Sequence, residues 1–399
     1  MGDGTIGQGE VFELIAVADE AAVMSQGRTV EEGHPAIADL TGIPKVEFPV
    51  NLQAALAAGN RMTSVMREVV ALRRGAGKLN PNEYFYYRLW DPSLSMAEKR
   101  RFVGKQAQHP MHMACNHTGW YAAAADKLLF QAVMAGAGLP VPELLAVTRR
   151  PGLAGKVPCL AGVAEIEGFL RQPSLYPLFA KPIDGKYSVA VLNADALDPA
   201  TDRIAVRGQG WRQVSDVAAE LAARESGFVL HWRLTAHSGL SRRFGPALWS
   251  MRLLVLLTPD EPVVHRAVAK TATGANPADN FWRPQQHARC RGPRHRRDPA
   301  VGPRHRRRHG GGRGQSRYGP IHHRTRLPGW ADTLELAGTA AQVLPGTRTQ
   351  SWDVALTDKG PVLLEVNFGR NLNLAQLAHG TGVLDDAYAD HLRRCGYRL

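Results

Sequence analysis

Ser351-Trp-Asp-Val-Ala-Leu-Thr-Asp-Lys-Gly-Pro-Val-Leu-Leu-Glu-Val-Asn-Phe-Gly369 reads as a β-hairpin. Polar and apolar residues alternate over 353–357, Asp-Lys-Gly-Pro at 358–361 is turn chemistry, and Val362 to Val366 is a second apolar strand. Three oxygen donors ride on it: Asp353 on the first strand, Glu365 and Asn367 on the second. Side chains alternate faces along a strand, so Glu365 and Asn367 point the same way, and Asp353 can lie across the hairpin from them. Clustered hard oxygens on a rigid sheet suit Mg²⁺, which is usually held by one or two carboxylates together with substrate phosphates. On Glu-x-Asn alone a solvated strand end is the simpler reading, and the flanking chain shifts the balance.

Upstream, Ser174 to Leu192 reads as strand, loop, strand. Lys181 closes the first strand, and Asp184-Gly-Lys-Tyr-Ser188 is a small loop. A strand lysine followed by a Gly/Ser loop can hold a polyphosphate, the ammonium neutralising charge while loop N–H groups cap the oxygens. Asp-Gly is also a strong hairpin-turn signal, and no GxxxxGK[ST] loop is present. Ser250 to Leu257 is a buried strand with one arginine, Arg252. A lone arginine in such a run must meet an anion, either a structural carboxylate or a substrate phosphate. Val263 to Val268 is the next strand, with Lys270 just beyond it and Asn280 after a loop.

Between these strands the pattern is helical. Asn51 to Arg74 is an amphipathic candidate with an Asn cap, and Met96 to Gly104 follows a cap at Ser93 or Ser95. A helix begins at Asp126 and stops at Gly136-Ala-Gly138 and Pro140. Gln213 to Ala223 and Ala331 to Leu344 complete the set, while Leu144 to Val147 and Gly227 to Arg233 read as strands. The aromatic run Tyr84 to Trp90 lacks surrounding basic residues, so it reads as packing rather than as a base-stacking stripe.

A chain of 399 residues has room for two or three domains, and 44% hydrophobic content is ordinary for a globular protein. No signal-peptide pattern or membrane-length apolar run is seen, which makes the cytoplasm the expected location. The four cysteines, Cys115, Cys159, Cys290 and Cys395, have no CxxC spacing, so neither a zinc site nor a disulfide framework is indicated.

The net charge of +13 is concentrated in one place. Residues 285–326 hold 13 Arg, no Lys, one Asp and no Glu. A basic footprint spread over a binding face would look different. Val301 and Ile321 are the segment's only aliphatics larger than Ala, so it cannot build a core and is expected to be disordered if native. A nucleic-acid arm, a disordered insertion and an out-of-frame stretch of GC-rich coding sequence are the three readings. The sharp boundaries and the absence of Lys and Glu favour the third.

In order, the set Lys181, Gly/Ser loop, Arg252, Lys270, Asn280, Asp353, Glu365-Val-Asn367 resembles the ATP-grasp superfamily. More narrowly it is similar to the sugar-transfer-associated, α-L-glutamate-ligase-related group. LFAKPIDGKYSV, SMRLLVL, the 350–369 stretch, LNLAQLAHGTGVLDD and DKLLFQAVMAGAGLPVPELLAV carry the likeness, which covers residues 80–399 outside the Arg-rich segment. The resemblance implies an α+β fold in which two subdomains clamp a nucleotide. A mainly helical region, 1–124, would precede an ATP-grasp domain, 125–399, divided into 125–229 and 230–399. It implies ATP and Mg²⁺ as cofactors, with Lys181 on the α/β-phosphates, Lys186 and Ser188 in the loop over them, His231 at the hinge near adenine, and Asn280 in the nucleotide set. Many members of the resembled family carry Gln or Glu where His231 stands, so His231 is a departure. Arg252 and Lys270 would form the catalytic set, and Asp353, Glu365 and Asn367 would hold the metal.

The implied reaction is ATP-dependent ligation of a carboxylate to an amine or other nucleophile through an acylphosphate, with a link to cell-surface sugar or polysaccharide biosynthesis. The substrates are small molecules, with no nucleic-acid partner. A nucleotide-binding protein with impaired catalysis and a nucleic-acid-binding protein acting through residues 285–326 are the alternatives. The Arg-rich segment falls where relatives continue through strands near the substrate, so weak turnover is expected.

Overall fold

The computed structural model describes residues 11–15, 46, 48–150, 152, 155–185, 190–271, 289–291, 322–368 and 372–399, and for 11–15, 289–291 and 322–326 the backbone alone. Short helices make up most of the described residues 48–115: Phe48–Ala57, Met62–Arg74, Pro81–Tyr86, Met96–Arg100 and Lys105–Cys115. The single helix expected over 51–74 is two helices. Gly59, at φ +92°, turns the chain, and the Asn60 side chain donates to the carbonyls of Ala55 and Trp90. Asn51 therefore lies inside the first helix instead of capping it. Tyr84 and Phe85 are buried in the helical core, as packing residues should be. Ser95 caps its helix through a reciprocal box with Glu98.

In chain order the strands are β1 (Val11–Ile15), β2 (Leu144–Thr148), β3 (Cys159–Leu160), β4 (Leu178–Pro182), β5 (Leu192–Asp198), β6 (Arg203–Val206), β7 (Gly210–Gln213), β8 (Phe228–Trp232), β9 (Trp249–Leu257), β10 (Pro262–Thr271), β11 (Arg289–Arg291), β12 (His322–Arg326), β13 (Thr349–Thr357) and β14 (Gly360–Asn367). They form a seven-stranded sheet, β3-β2-β8-β4-β5-β6-β7, a four-stranded sheet, β10-β9-β13-β14, and a three-stranded one, β11-β1-β12. Among the described residues only the β2–β3 pair is parallel. The fold is α+β, as expected.

Within 285–326 the described backbone, β11 and β12, pairs with β1. The remainder of that segment lies outside the described residues.

The seven-stranded sheet buries Leu178, Ala180 and Leu230 under the Val163–Leu170 and Val214–Ala223 helices, which contribute Ile166, Phe169, Val217 and Leu221. Gly227, at φ +78°, leads into β8. A Cβ there would sit 2.1 Å from the Thr148 carbonyl oxygen, so only glycine lets β8 approach β2.

The four-stranded sheet is covered on both faces. One face meets the Lys127–Gly136 and Trp330–Val343 helices through Phe130, Met134, Leu336, Ala340, Trp352 and Val354. The other meets the Leu372–His379 and Asp386–Arg394 helices through Leu254, Leu256, Val268, Leu372, Tyr388 and Leu392. Every residue of β13 is consequently buried. β10 continues to Thr271, paired with Trp249, so Lys270 lies within the strand and not past its end. The β9 ladder carries the strand through residues whose own pattern had stopped signalling one.

Gln350 ties β13 to the helix before it. Its amide nitrogen donates to the carbonyls of Ala341, Leu344 and Thr347, and its oxygen accepts from the Trp352 indole. Gln350→Leu strands buried polar groups on both sides. We expect a loss of about 2–3 kcal/mol in unfolding free energy, measured by urea denaturation, with the larger share in the hairpin region by hydrogen exchange.

Candidate functional site

Arg252 and Asp353 face each other across the β9–β13 ladder, and Asp353 faces Glu365 across β13–β14. Arg252 grips the Asp353 carboxylate with two hydrogen bonds, Nε to Oδ1 at 2.8 Å and Nη2 to Oδ2 at 2.5 Å. Lys270 Nζ lies 3.2 Å from Oδ2. All three residues are buried, at 9%, 4% and 6% exposure. Of the two anions expected for Arg252, the structure supplies the carboxylate. Burial alone would push the Asp353 carboxyl up. The Arg252 and Lys270 charges outweigh that and hold it well below the usual carboxylate range.

Glu365 and Asn367 share the Asp353 face, as the two-residue spacing requires. Arg252 Nη2 is 3.9 Å from Glu365 Oε1, and the Asn367 amide donates to that same oxygen at 3.2 Å. The Glu365 side chain is 38% exposed, so this edge of the cluster is open to a ligand while Asp353 is closed in.

A β-bulge sits between Asp353 and Val354 opposite β14: Glu365 and Leu363 have partners in the register, and Leu364 has none. The bulged residue's carbonyl accepts from Lys181 Nζ at 3.1 Å, a contact from the seven-stranded sheet onto the four-stranded one. Lys127 joins from the start of its helix. Its backbone N–H donates to Ile183 O and its ammonium to the Gly185 carbonyl. Burial pushes the Lys127 ammonium down, against the opposing charges of Glu365 and Asp184. The sequence reading used Asp126 as a cap and passed over its neighbour. The available signal was a cation in the first helical turn, where the helix dipole disfavours it and another partner is needed.

His231 is buried in β8, and its Nε2 has no hydrogen-bond partner among the described residues. Burial, then the Lys181 charge, brings its pKa down to about 3, so the ring is neutral at pH 7. It stands on the same face of the sheet as Lys181. Lys186, Ser188 and Asn280 lie outside the described residues.

The hairpin carrying Asp353, Glu365 and Asn367 is also the part of the chain that sequence comparison identifies: the family described as sugar-transfer associated ATP-grasp matches residues 323–389. Over these residues the chain resembles the sugar-transfer associated ATP-grasp family. The match spans a minor share of the 399 residues and leaves Lys127, Lys181, Arg252 and Lys270 outside it. Among solved structures, this chain is similar to the ligase PsnB complexed with a phosphomimetic variant of its minimal precursor, Mg and ADP, at 14% identity and TM-score 0.38, covering 71% of this chain and 62% of PsnB. A RimK-domain ATP-grasp protein from Sphaerobacter thermophilus gives 15% and 0.34, covering 67% and 69%. VanG D-Ala:D-Ser ligase from Enterococcus faecalis gives 15% and 0.41, covering 70% and 63%. The chain thus spans less than two thirds of the length of PsnB and of VanG. No curated protein matches it.

Asp353→Ala leaves Arg252 and Lys270 buried without their carboxylate, and we expect it to destabilise the fold by about 3–5 kcal/mol in chemical denaturation. His231 gives a pH signature. Its folded pKa lies below its unfolded value of about 6.5, so the unfolded chain binds the extra proton between the two. Its contribution to stability is complete above about pH 6.5 and declines as the pH falls toward 3. The thermal midpoint of wild type, measured across that window, should fall relative to that of His231→Gln as the pH drops.

Proposed function

We propose that this chain is an ATP-dependent ligase joining a carboxylate to an amine or related nucleophile. The observation that supports it is one cluster, assembled from five separate segments, that pairs cations able to hold a triphosphate with hard oxygens able to hold a metal. Lys127, Lys181, Arg252 and Lys270 supply the cations, and Asp353, Glu365 and Asn367 supply the oxygens.

Two carboxylates and an amide oxygen on one face are the donor set Mg²⁺ takes. Asp353 accepts three contacts on about four lone-pair positions, which leaves room for one more ligand. Asp353, Glu365 and Asn367 would hold Mg²⁺, which would supply positive charge against the phosphates. Lys181 and Lys127 would neutralise and align the phosphates between the two sheets. Arg252 and Lys270 would face the phosphoryl group in flight, where fixed cations lower the barrier by stabilising charge as it develops. In the reaction the substrate carboxylate oxygen bonds to the γ-phosphorus as ADP leaves. The nucleophile then bonds to the acyl carbon, inorganic phosphate leaves, and the nucleophile's proton passes to solvent. Positioning and charge do this work, so no Ser/His triad is required. Neutral His231, beside Lys181, would take a base-side hydrogen bond from the nucleotide. A cell-surface sugar or polysaccharide substrate is part of the same proposal.

One feature favours a second reading, a nucleotide binder without turnover: Arg252 and Lys270 both already bind Asp353, so both catalytic cations are engaged. Calorimetric titration with ATP, with and without Mg²⁺, addresses both readings. Glu365→Ala should weaken binding at least tenfold when Mg²⁺ is present and change it little in EDTA. Equal affinity for wild type and variant in Mg²⁺ would sink the metal assignment. ADP release on adding panels of carboxylates and amines marks the ligase, and tight ATP binding with no release marks the binder.

A further inference from the structure

The sequence spacing of the cysteines indicates no zinc site, yet the fold brings two of them together. Cys115 ends the Lys105–Cys115 helix, and Cys395 caps the Asp386–Arg394 helix one turn beyond His391. The thiol sulfurs of Cys115 and Cys395 and a ring nitrogen of His391 all lie within 4.8 Å of one another. We propose that Cys115, His391 and Cys395 bind a zinc ion that ties the helical region before residue 124 to the C-terminal helix.

The geometry fits that ion. With Zn–S near 2.3 Å and Zn–N near 2.0–2.1 Å, a tetrahedral site has an S···N edge of about 3.6 Å. Cys395 Sγ lies 3.7 Å from His391 Nε2. Two thiolates and a neutral imidazole balance the charge of a divalent ion and are the soft-to-borderline donors zinc selects over Mg²⁺.

Rigid elements hold all three donors. The Cys115 carbonyl accepts from Arg348 N at 3.1 Å, and the neighbouring Asn116 side chain forms a two-way pair with the Thr349 backbone at 2.8 and 2.9 Å. His391 Nε2 lies 3.0 Å from Thr349 Oγ1, and its ring stacks near Tyr388 with planes 12° apart.

A separate observation points to a ligand. The Tyr388 hydroxyl is buried and has no hydrogen-bond partner among the described residues. A bound ion with a coordinated water gives that hydroxyl a partner and completes the fourth position. This site stands apart from the Mg·ATP reading, because its donors are sulfur and imidazole and its occupancy is read without nucleotide.

The test is metal analysis of the full chain purified without chelator or affinity histidines. We expect roughly one zinc per chain, and cobalt exchange should give sulfur-to-cobalt charge-transfer bands in the near ultraviolet together with tetrahedral visible bands. Cys395→Ser and His391→Ala should each lose most of the zinc and both cobalt signatures, while Cys290→Ser keeps them. Stripping wild type with a chelator should lower its thermal midpoint, with zinc restoring it. That readout keeps the proposal testable if a variant fails to fold. Zinc retained in full by Cys395→Ser, a Cys115–Cys395 disulfide seen as a two-hydrogen mass loss, or free thiols that bind neither zinc nor cobalt would each overturn it.

Discussion

The Asp353 carboxylate, held in the buried middle of a sheet by Arg252 and Lys270, is the constraint around which the hairpin and its neighbours are arranged. β13 is buried on both faces, so an ionised side chain there is tolerable only when paired. The pairing comes from registers on both sides of β9: Arg252 opposite Asp353 on one ladder, and Lys270 two positions beyond Val268, the Arg252 partner, on the other. A slip of one residue in either ladder would turn one of these groups onto the apolar face with Trp352 and Val354. The triad therefore specifies register as well as charge.

The two larger sheets meet where the ladder is irregular. The bulge at Leu364 releases a carbonyl from β-pairing, and Lys181 takes it. Lys127 fastens the other side through Gly185. On the proposed ligase reading, these are the contacts that a polyphosphate entering between the sheets would exchange for its own oxygens. The exposed side of the cluster is Glu365, and the closed side is Asp353. That asymmetry orients whatever binds: Glu365 lies toward solvent, and Asp353 with its fixed cations lies behind it.

β13 also connects this cluster to the Cys115–His391–Cys395 group. Thr349 and Asp353 lie on the same face of one strand, four residues apart. Thr349 is anchored by Asn116 and contacts His391. The helical region before residue 124 and the C-terminal helix are thereby joined through the strand that carries the ionic triad.

The amino-acid sequence by itself determined the elements and the chemistry they carry. Alternation over 353–357 and the Asp-Lys-Gly-Pro turn place the hairpin, and the two-residue spacing puts Glu365 and Asn367 on one face. The arginine in an apolar strand demands an anion. These are local consequences of strand geometry and of the cost of burying charge. Tertiary structure alone decided the partners. That Arg252 meets Asp353, that Lys270 belongs to the strand, that Lys127 reaches Gly185 and that Cys115 meets Cys395 all depend on ladders and helix packing between residues tens to hundreds of positions apart. The break at Gly59 and Asn60 is of the same kind, because the Asn60 amide finds Trp90, 30 residues away. Periodicity reports which face of an element is apolar, but which element covers that face is settled only when the whole chain packs.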